Sequence, residues 1–182
     1  MNQSTRSTQQ SGWGVLDAIS YRARVAPDGP FMTFLDESGP AKLTNAEYER
    51  LVSGATARLS AAGLRQGETC IVHTGNTADF VVLLAAIIAL GGVAVPTISM
   101  STADELAYVI EHSEAHLLLT TPELFDIAIR ATSMLPCNVH LTADVWDSSV
   151  ALIAHPGDAT APCPAGTAIL MYTSGTGGRP KG

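Results

Sequence analysis

A chain of 182 residues, 46% hydrophobic and only 15% charged, is long enough for one domain with a buried core and too apolar to remain disordered. Its net charge of -7, with ten basic residues scattered along the chain, excludes an electrostatic footprint for nucleic acid. Any anionic ligand must therefore be held locally, by backbone N–H groups and one or two cations.

Residues 1–12 are polar, lack the apolar stretch of a secretory signal, and read as a disordered tail. Val15, Leu16, Ile19, Ala23 and Ala26 recur at helical spacing and predict an amphipathic helix that stops before Pro27. Residues 31–35 read as a strand, turning through Asp36 to Gly39 into a second extended piece ending near Leu43. Thr44 and Glu47 form a capping box, opening a helix that carries Tyr48, Leu51, Val52, Ala55 and Leu59 on one face and ends at Gly63.

A short apolar strand is expected over residues 69–73, followed by a helix from Thr77 to about Leu90 with Asn76 as its cap. That helix is apolar nearly all round, so it must be buried on most sides. Residues 80–95 are uncharged, but the run is shorter than the roughly 20 residues a span needs and is broken by Gly91 and Gly92, so helix, turn and strand are expected in place of a membrane span. Thr102 and Glu105 form a second capping box. Residues 116–120 are strand-like, Thr121 and Pro122 start another helix, and residues 138–141 offer a further strand.

Strands alternate with helices, and several strands are continuous apolar runs. The expected fold class is therefore α/β, a layered and mostly parallel sheet flanked by helices over residues 13–154. Residues 155–166, with three prolines and two glycines, read as a linker, and residues 167–172 as a final strand feeding the closing loop. Cys70, Cys137 and Cys163 are far apart with no CxxC pair, so they read as reduced thiols of a cytoplasmic protein. His112 and His116 stand four apart but have no third ligand near them in sequence, and read as structural or surface histidines.

The closing stretch, residues 171–182, is MYTSGTGGRPKG. A strand emptying into a glycine-rich loop presents unpaired N–H groups to phosphate, the hydroxyls of Thr173, Ser174 and Thr176 add donors, and Lys181 adds a point charge. The P-loop pattern fails, because Pro180 and Gly182 stand where Gly and a magnesium-binding hydroxyl are needed. The dinucleotide fingerprint fails because Pro180 replaces its third glycine.

The loop does resemble the signature of the adenylate-forming superfamily, which includes acyl-CoA synthetases, peptide-synthetase adenylation domains and luciferases. Tyr172, Thr173, Ser174, Gly175, Thr176, Gly178, Pro180, Lys181 and Gly182 match that pattern, whereas Gly177 replaces a threonine. Similarity extends back to about Phe34, in the family's order and spacing. The resemblance implies the first part of the large N-terminal domain of such an enzyme. It also implies ATP-dependent activation of a carboxylic acid as an acyl adenylate, then transfer, with coenzyme A as the expected acceptor and Mg2+ accompanying ATP.

Thr173, Ser174, Gly175, Thr176, Gly177, Gly178 and Lys181 are the implied ATP-phosphate residues; no catalytic residue and no metal ligand is assigned. A carrier-protein thiol or an amine as acceptor, and a non-catalytic fragment needing a complementary chain, are the alternative readings. The family's adenine, ribose and acyl elements lie beyond its signature loop, so the sequence is expected to be part of a longer polypeptide and inactive alone. A second chain carrying the remainder, or a homo-oligomer, would be its protein partners.

Overall fold

The computed structural model describes residues 14–36, 39–154 and 163–173. Helix α1 (Val15–Val25) is followed by an antiparallel hairpin, β1 (Pro30–Asp36) and β2 (Gly39–Thr44), and then by α2 (Asn45–Ala61). The rest alternates: β3 (Thr69–His73), α3 (Ala78–Leu90), β4 (Val93–Thr97), α4 (Ala103–Ser113), β5 (Leu117–Thr120), α5 (Phe125–Thr132), β6 (Asn138–Leu141) and α6 (Thr142–Trp146). Strands β3 to β6 form a four-stranded parallel sheet in the order β4-β3-β5-β6.

Both faces of this sheet are covered, which is why β3 and β5 are buried at every position and carry no polar-out alternation. Alternate residues still go to opposite faces. Cys70, Val72, Ala94, Leu117 and Leu119 pack with α2, α3 and α6, whereas Ile71, Val95 and Leu118 pack with α4 and α5. Helix α3 explains its all-round apolarity by its place: it lies against α2, α1, β3 and β4, and Val82, Leu83, Ala86 and Ile87 are buried. Gly91, at φ 86°, ends it in the left-handed conformation that glycine adopts without a Cβ penalty.

The expected capping boxes form. Thr44 Oγ1 accepts from the Glu47 N–H at 3.2 Å, while the Thr44 N–H donates to the Glu47 carboxylate at 2.9 Å; Thr102 and Glu105 repeat the exchange at 3.3 and 2.8 Å. Three expectations shift. The α3 cap is Thr77, whose hydroxyl accepts from the Phe80 N–H at 3.2 Å, and Asn76 stands outside it, exposed. Pro122–Leu124 is a single 3-10 turn before α5 begins at Phe125, and the Thr121 hydroxyl caps no backbone N–H.

The third correction concerns the last strand. Residues 167–172 run beside β4 but join it by one bridge, Ala94 with Ile169: the Ala94 N–H donates to the Ala168 carbonyl at 2.9 Å and the Leu170 N–H to the Ala94 carbonyl at 3.0 Å. The next residue of β4 facing that edge is Pro96, which has no N–H to give the Leu170 carbonyl, so the ladder stops.

No helix among the described residues is long and apolar enough to cross a membrane. Cys70, Cys137 and Cys163 are free thiols; burial pushes Cys70 well above the ordinary thiol range and Cys137 up to about 12.

Candidate functional site

The chain leaves β3 for the neighbouring β4 and then crosses back past β3 to β5, so its direction of travel across the sheet reverses beside β3. In open α/β sheets such a reversal places a crevice at the carboxyl ends of the strands. A cleft of about 440 Å³ opens at the carboxyl ends of β3 and β4, between the segment after β3, the segment after β4, the first turns of α4, and Met171, Tyr172 and Thr173.

Its walls are set by the fold. Phe80, Pro96, Ile98, Val109 and Met171 give it apolar sides, while Thr74, Thr97, Ser99, Ser101 and Thr173 bring hydroxyls and Asn76 an amide. Gly75 faces open space, since a Cβ added there would meet nothing within 4 Å. Among the described residues Glu105 is the one charged residue lining the cleft, and hydrogen bonds from the Thr102 backbone and side chain hold its carboxyl below the usual carboxylate range. Helices α3 and α4 both begin at this end of the sheet, so two positive dipole ends lie beside a wall of neutral donors. That combination suits an anionic or acceptor-rich ligand with an apolar part.

Two side-chain pairs support the cleft from behind. His73, fully buried at the end of β3, places Nδ1 2.9 Å from Thr97 Oγ1, and burial pushes its pKa down, so the ring is neutral at neutral pH. The Thr120 hydroxyl donates to the His73 carbonyl at 3.0 Å, tying β5 to the same point. Tyr172 lies 2.7 Å from His112 Nδ1, with the two rings edge to face at 5.6 Å. Burial, then Tyr108 and Cys163, push the Tyr172 phenol up to about 12, so it stays a proton donor and anchors the end of the described chain to α4. His112 is thus a structural histidine with a stated partner, and among the described residues no group of three His, Cys, Asp or Glu side chains gathers as a metal site.

Of the residues expected to bind phosphate, Thr173 is placed in the cleft wall. Ser174, Gly175, Thr176, Gly177, Gly178 and Lys181 lie outside the described residues. Sequence reasoning missed His73 and Thr97, although a histidine closing an otherwise apolar strand was a visible signal.

The AMP-binding enzyme family matches residues 19–182. The chain is 34% identical over 155 residues to "Probable CoA ligase CCL9" of Humulus lupulus, covering 80% of this chain and 29% of that protein. It is 32% identical over 176 residues to "Oxalate--CoA ligase" of Arabidopsis thaliana, covering 87% of this chain and 32% of that protein. The chain therefore spans about a third of the length of these curated relatives. Among solved structures, the inhibitor-bound N-terminal domain of FACL13 from Mycobacterium tuberculosis superposes with a TM-score of 0.72 at 24% identity, over 93% of this chain and 43% of that one. The sheet, the cleft at its carboxyl edge and these matches together show that the chain belongs to the AMP-binding enzyme family and carries the fold of the N-terminal domain of adenylate-forming enzymes.

Proposed function

We propose that this chain supplies the ATP-phosphate loop and the first layers of the substrate cleft of an acid–thiol ligase, which activates a carboxylic acid as an acyl adenylate and passes the acyl group to coenzyme A. The observation that carries this reading is the position of Thr173: it lines the cleft, and the sequence continues from it directly into Ser174-Gly175-Thr176-Gly177-Gly178 and Lys181. The CoA-ligase names of the relatives support coenzyme A as the acceptor over a carrier thiol or an amine.

In this reading the carboxylate attacks the α-phosphorus, the α–β phosphoanhydride bond breaks, and pyrophosphate leaves. Negative charge builds on the departing oxygens. Backbone N–H groups of the glycine-rich stretch, the hydroxyls of Thr173, Ser174 and Thr176, and Lys181 are the groups that would hold those oxygens in place. Mg2+ would accompany the nucleotide and neutralise phosphate charge. The residues behind Thr173 have a simpler task, which is to fix where the loop begins: Tyr172 is held by His112, and Leu170 by Ala94.

ATP–pyrophosphate exchange tests the proposal, with a panel of carboxylic acids and with the chain assayed alone and together with the downstream part of a relative. Acid-dependent exchange in the combined assay, lowered about a hundredfold by Lys181→Ala, is the expected result. Exchange absent with every acid in both assays overturns it in favour of a non-catalytic fragment. In the active combination Gly177→Thr restores the family's hydroxyl and lowers the KM for ATP about fivefold, as expected for one recovered hydrogen bond of about 1 kcal/mol; an unchanged KM sinks that part.

A further inference from the structure

We propose that His73 is a positioning residue that fixes the Thr97 hydroxyl as a hydrogen-bond donor into the cleft, where it anchors an acceptor oxygen of the ligand.

A neutral imidazole carries one N–H and one bare nitrogen. His73 Nδ1 faces Thr97 Oγ1 at 2.9 Å, whereas Nε2 is buried with no hydrogen-bond partner among the described residues. Only two arrangements exist. If the Thr97 hydroxyl donates to Nδ1, the ring proton sits on Nε2 as a buried orphan N–H, the kind of unsatisfied group that is rarer among backbone groups. If Nδ1–H donates to Thr97 Oγ1, the unsatisfied group is an acceptor nitrogen, which folded proteins tolerate more readily.

The second arrangement has a consequence for the cleft. Thr97 then receives a hydrogen bond and keeps its own proton, and no other acceptor for that proton is found among the described residues. Thr97 is half-buried and lines the cleft, so its free O–H is left for a ligand. The backbone keeps this geometry in place. Residues 73 and 97 are register partners at the ends of two parallel strands, and the Thr120 hydroxyl pins the His73 carbonyl from the other side. Thr74, the neighbouring cleft hydroxyl, is already spent on the Gly75 carbonyl at 3.0 Å, which leaves Thr97 as the oriented donor on this wall.

The acceptor oxygen belongs to a carboxylate or a phosphate, and in naming these two sources the inference rests on the proposed function. Its central claim does not, because the tautomer can be read without ligand or turnover. Long-range proton–nitrogen correlation spectra of the histidine-labelled chain at neutral pH, with His73 assigned by the resonances lost in His73→Asn, are expected to show Nδ1 protonated and Nε2 bare. Protonation on Nε2, or an even mixture, overturns the proposal. In Thr97→Val, which removes the acceptor and keeps the shape, the ring is expected to lose its single tautomer; an unchanged Nδ1–H tautomer shows that Thr97 does not set it and also overturns the proposal. Titrations then separate the sources: a saturable shift of the His73 ring signals with benzoate assigns a carboxylate, and one with Mg–ATP assigns a phosphate. A shift with neither overturns the anchoring role, even where ATP–pyrophosphate exchange succeeds.

Discussion

The two faces of the parallel sheet are built differently. One is covered by α2 and α3, with α1 and α6 packed alongside, and its interior holds Leu59, Leu83, Ile87, Leu117 and Leu119 with almost no polar group among them. The other is covered by α4, α5 and the single bridged segment 167–172, and towards the carboxyl ends of the strands its apolar packing gives way to His73, Thr97 and Thr120. The first face spends nearly all its side chains on burial and gives the cleft little beyond Phe80. The second gives up packing at one end, and that end is where the cleft lies.

Cavity-forming substitutions probe this contrast most strongly. Leu83→Ala, at a fully buried position with packed elements on both sides, is expected to cost about 4 kcal/mol in urea unfolding, and Leu106→Ala, equally buried but on the single-layer face, about 2 kcal/mol because its neighbours can relax inward. Equal losses would break the comparison. Next in size is Arg58→Met. One guanidinium nitrogen of Arg58 donates to the carbonyls of Asp144, Asp147 and Val150 at 3.2, 2.9 and 2.6 Å, clamping α6 and the chain after it onto α2. Removing a charged donor from three carbonyls should cost about 2 kcal/mol and speed amide exchange over residues 144–150. An unchanged unfolding midpoint would mean that water serves those carbonyls equally well.

Much of the well-packed face was legible in the sequence. Periodicity located α1, α2 and α3, apolar runs located β3, β4 and β5, and the Thr-x-x-Glu pattern located both capping boxes, because all of these are local signals. The misplacement of the α3 cap by one residue has an equally local cause: Asn76 and Thr77 are both good caps, and the apolar pattern alone cannot choose between them. What could not be read was non-local. Arg58 meets carbonyls 86 to 92 residues away, and the His73–Thr97 pair exists only once β3 and β4 are in register. The missing ladder beyond Ile169 falls between these cases. Pro96 was visible, but its consequence depends on knowing that residues 167–172 dock on that edge of β4.

Smaller effects sharpen the view of the cleft side. Thr102→Val removes the α4 cap and should cost about 1 kcal/mol. It should also weaken a pH dependence by its side-chain part, while the backbone N–H of residue 102 keeps the larger part. Hydrogen bonds from Thr102 hold the Glu105 carboxyl below its ordinary value, so the stabilisation is fully present above the unfolded-state value and is lost as pH falls through the lower folded one. Urea midpoints taken downward through the carboxylate range should fall less steeply in Thr102→Val than in the parent chain; parallel curves would show that the Thr102 hydroxyl carries no linkage. Tyr172→Phe, which deletes the 2.7 Å contact with His112, should cost about 1 kcal/mol or less and should raise amide exchange at Met171 and Thr173 more than at any residue of α2.

The smallest expected change is the most informative about why the cleft side stays open. Pro96→Ala restores an N–H on the edge of β4 that faces residues 167–172, at the position where the Leu170 carbonyl would be the next acceptor of the parallel ladder. One added hydrogen bond contributes about 1 kcal/mol at best, and the unfolded chain gains conformational freedom when proline is lost, so the net stability should change by only a few tenths of a kcal/mol. Exchange is the sensitive readout. The new amide at residue 96 and the existing one at Tyr172 should both become protected, because the Tyr172 N–H would then find the carbonyl of residue 96 in register. If they do, Pro96 is what keeps the approach to Thr173 from closing into a rigid fifth strand, and the looseness of this face is encoded by one residue. If both amides exchange freely, the segment is held off β4 by the packing of Leu170 and Tyr172 against α4, and the difference between the two faces lies in their side chains and not in the backbone ladder.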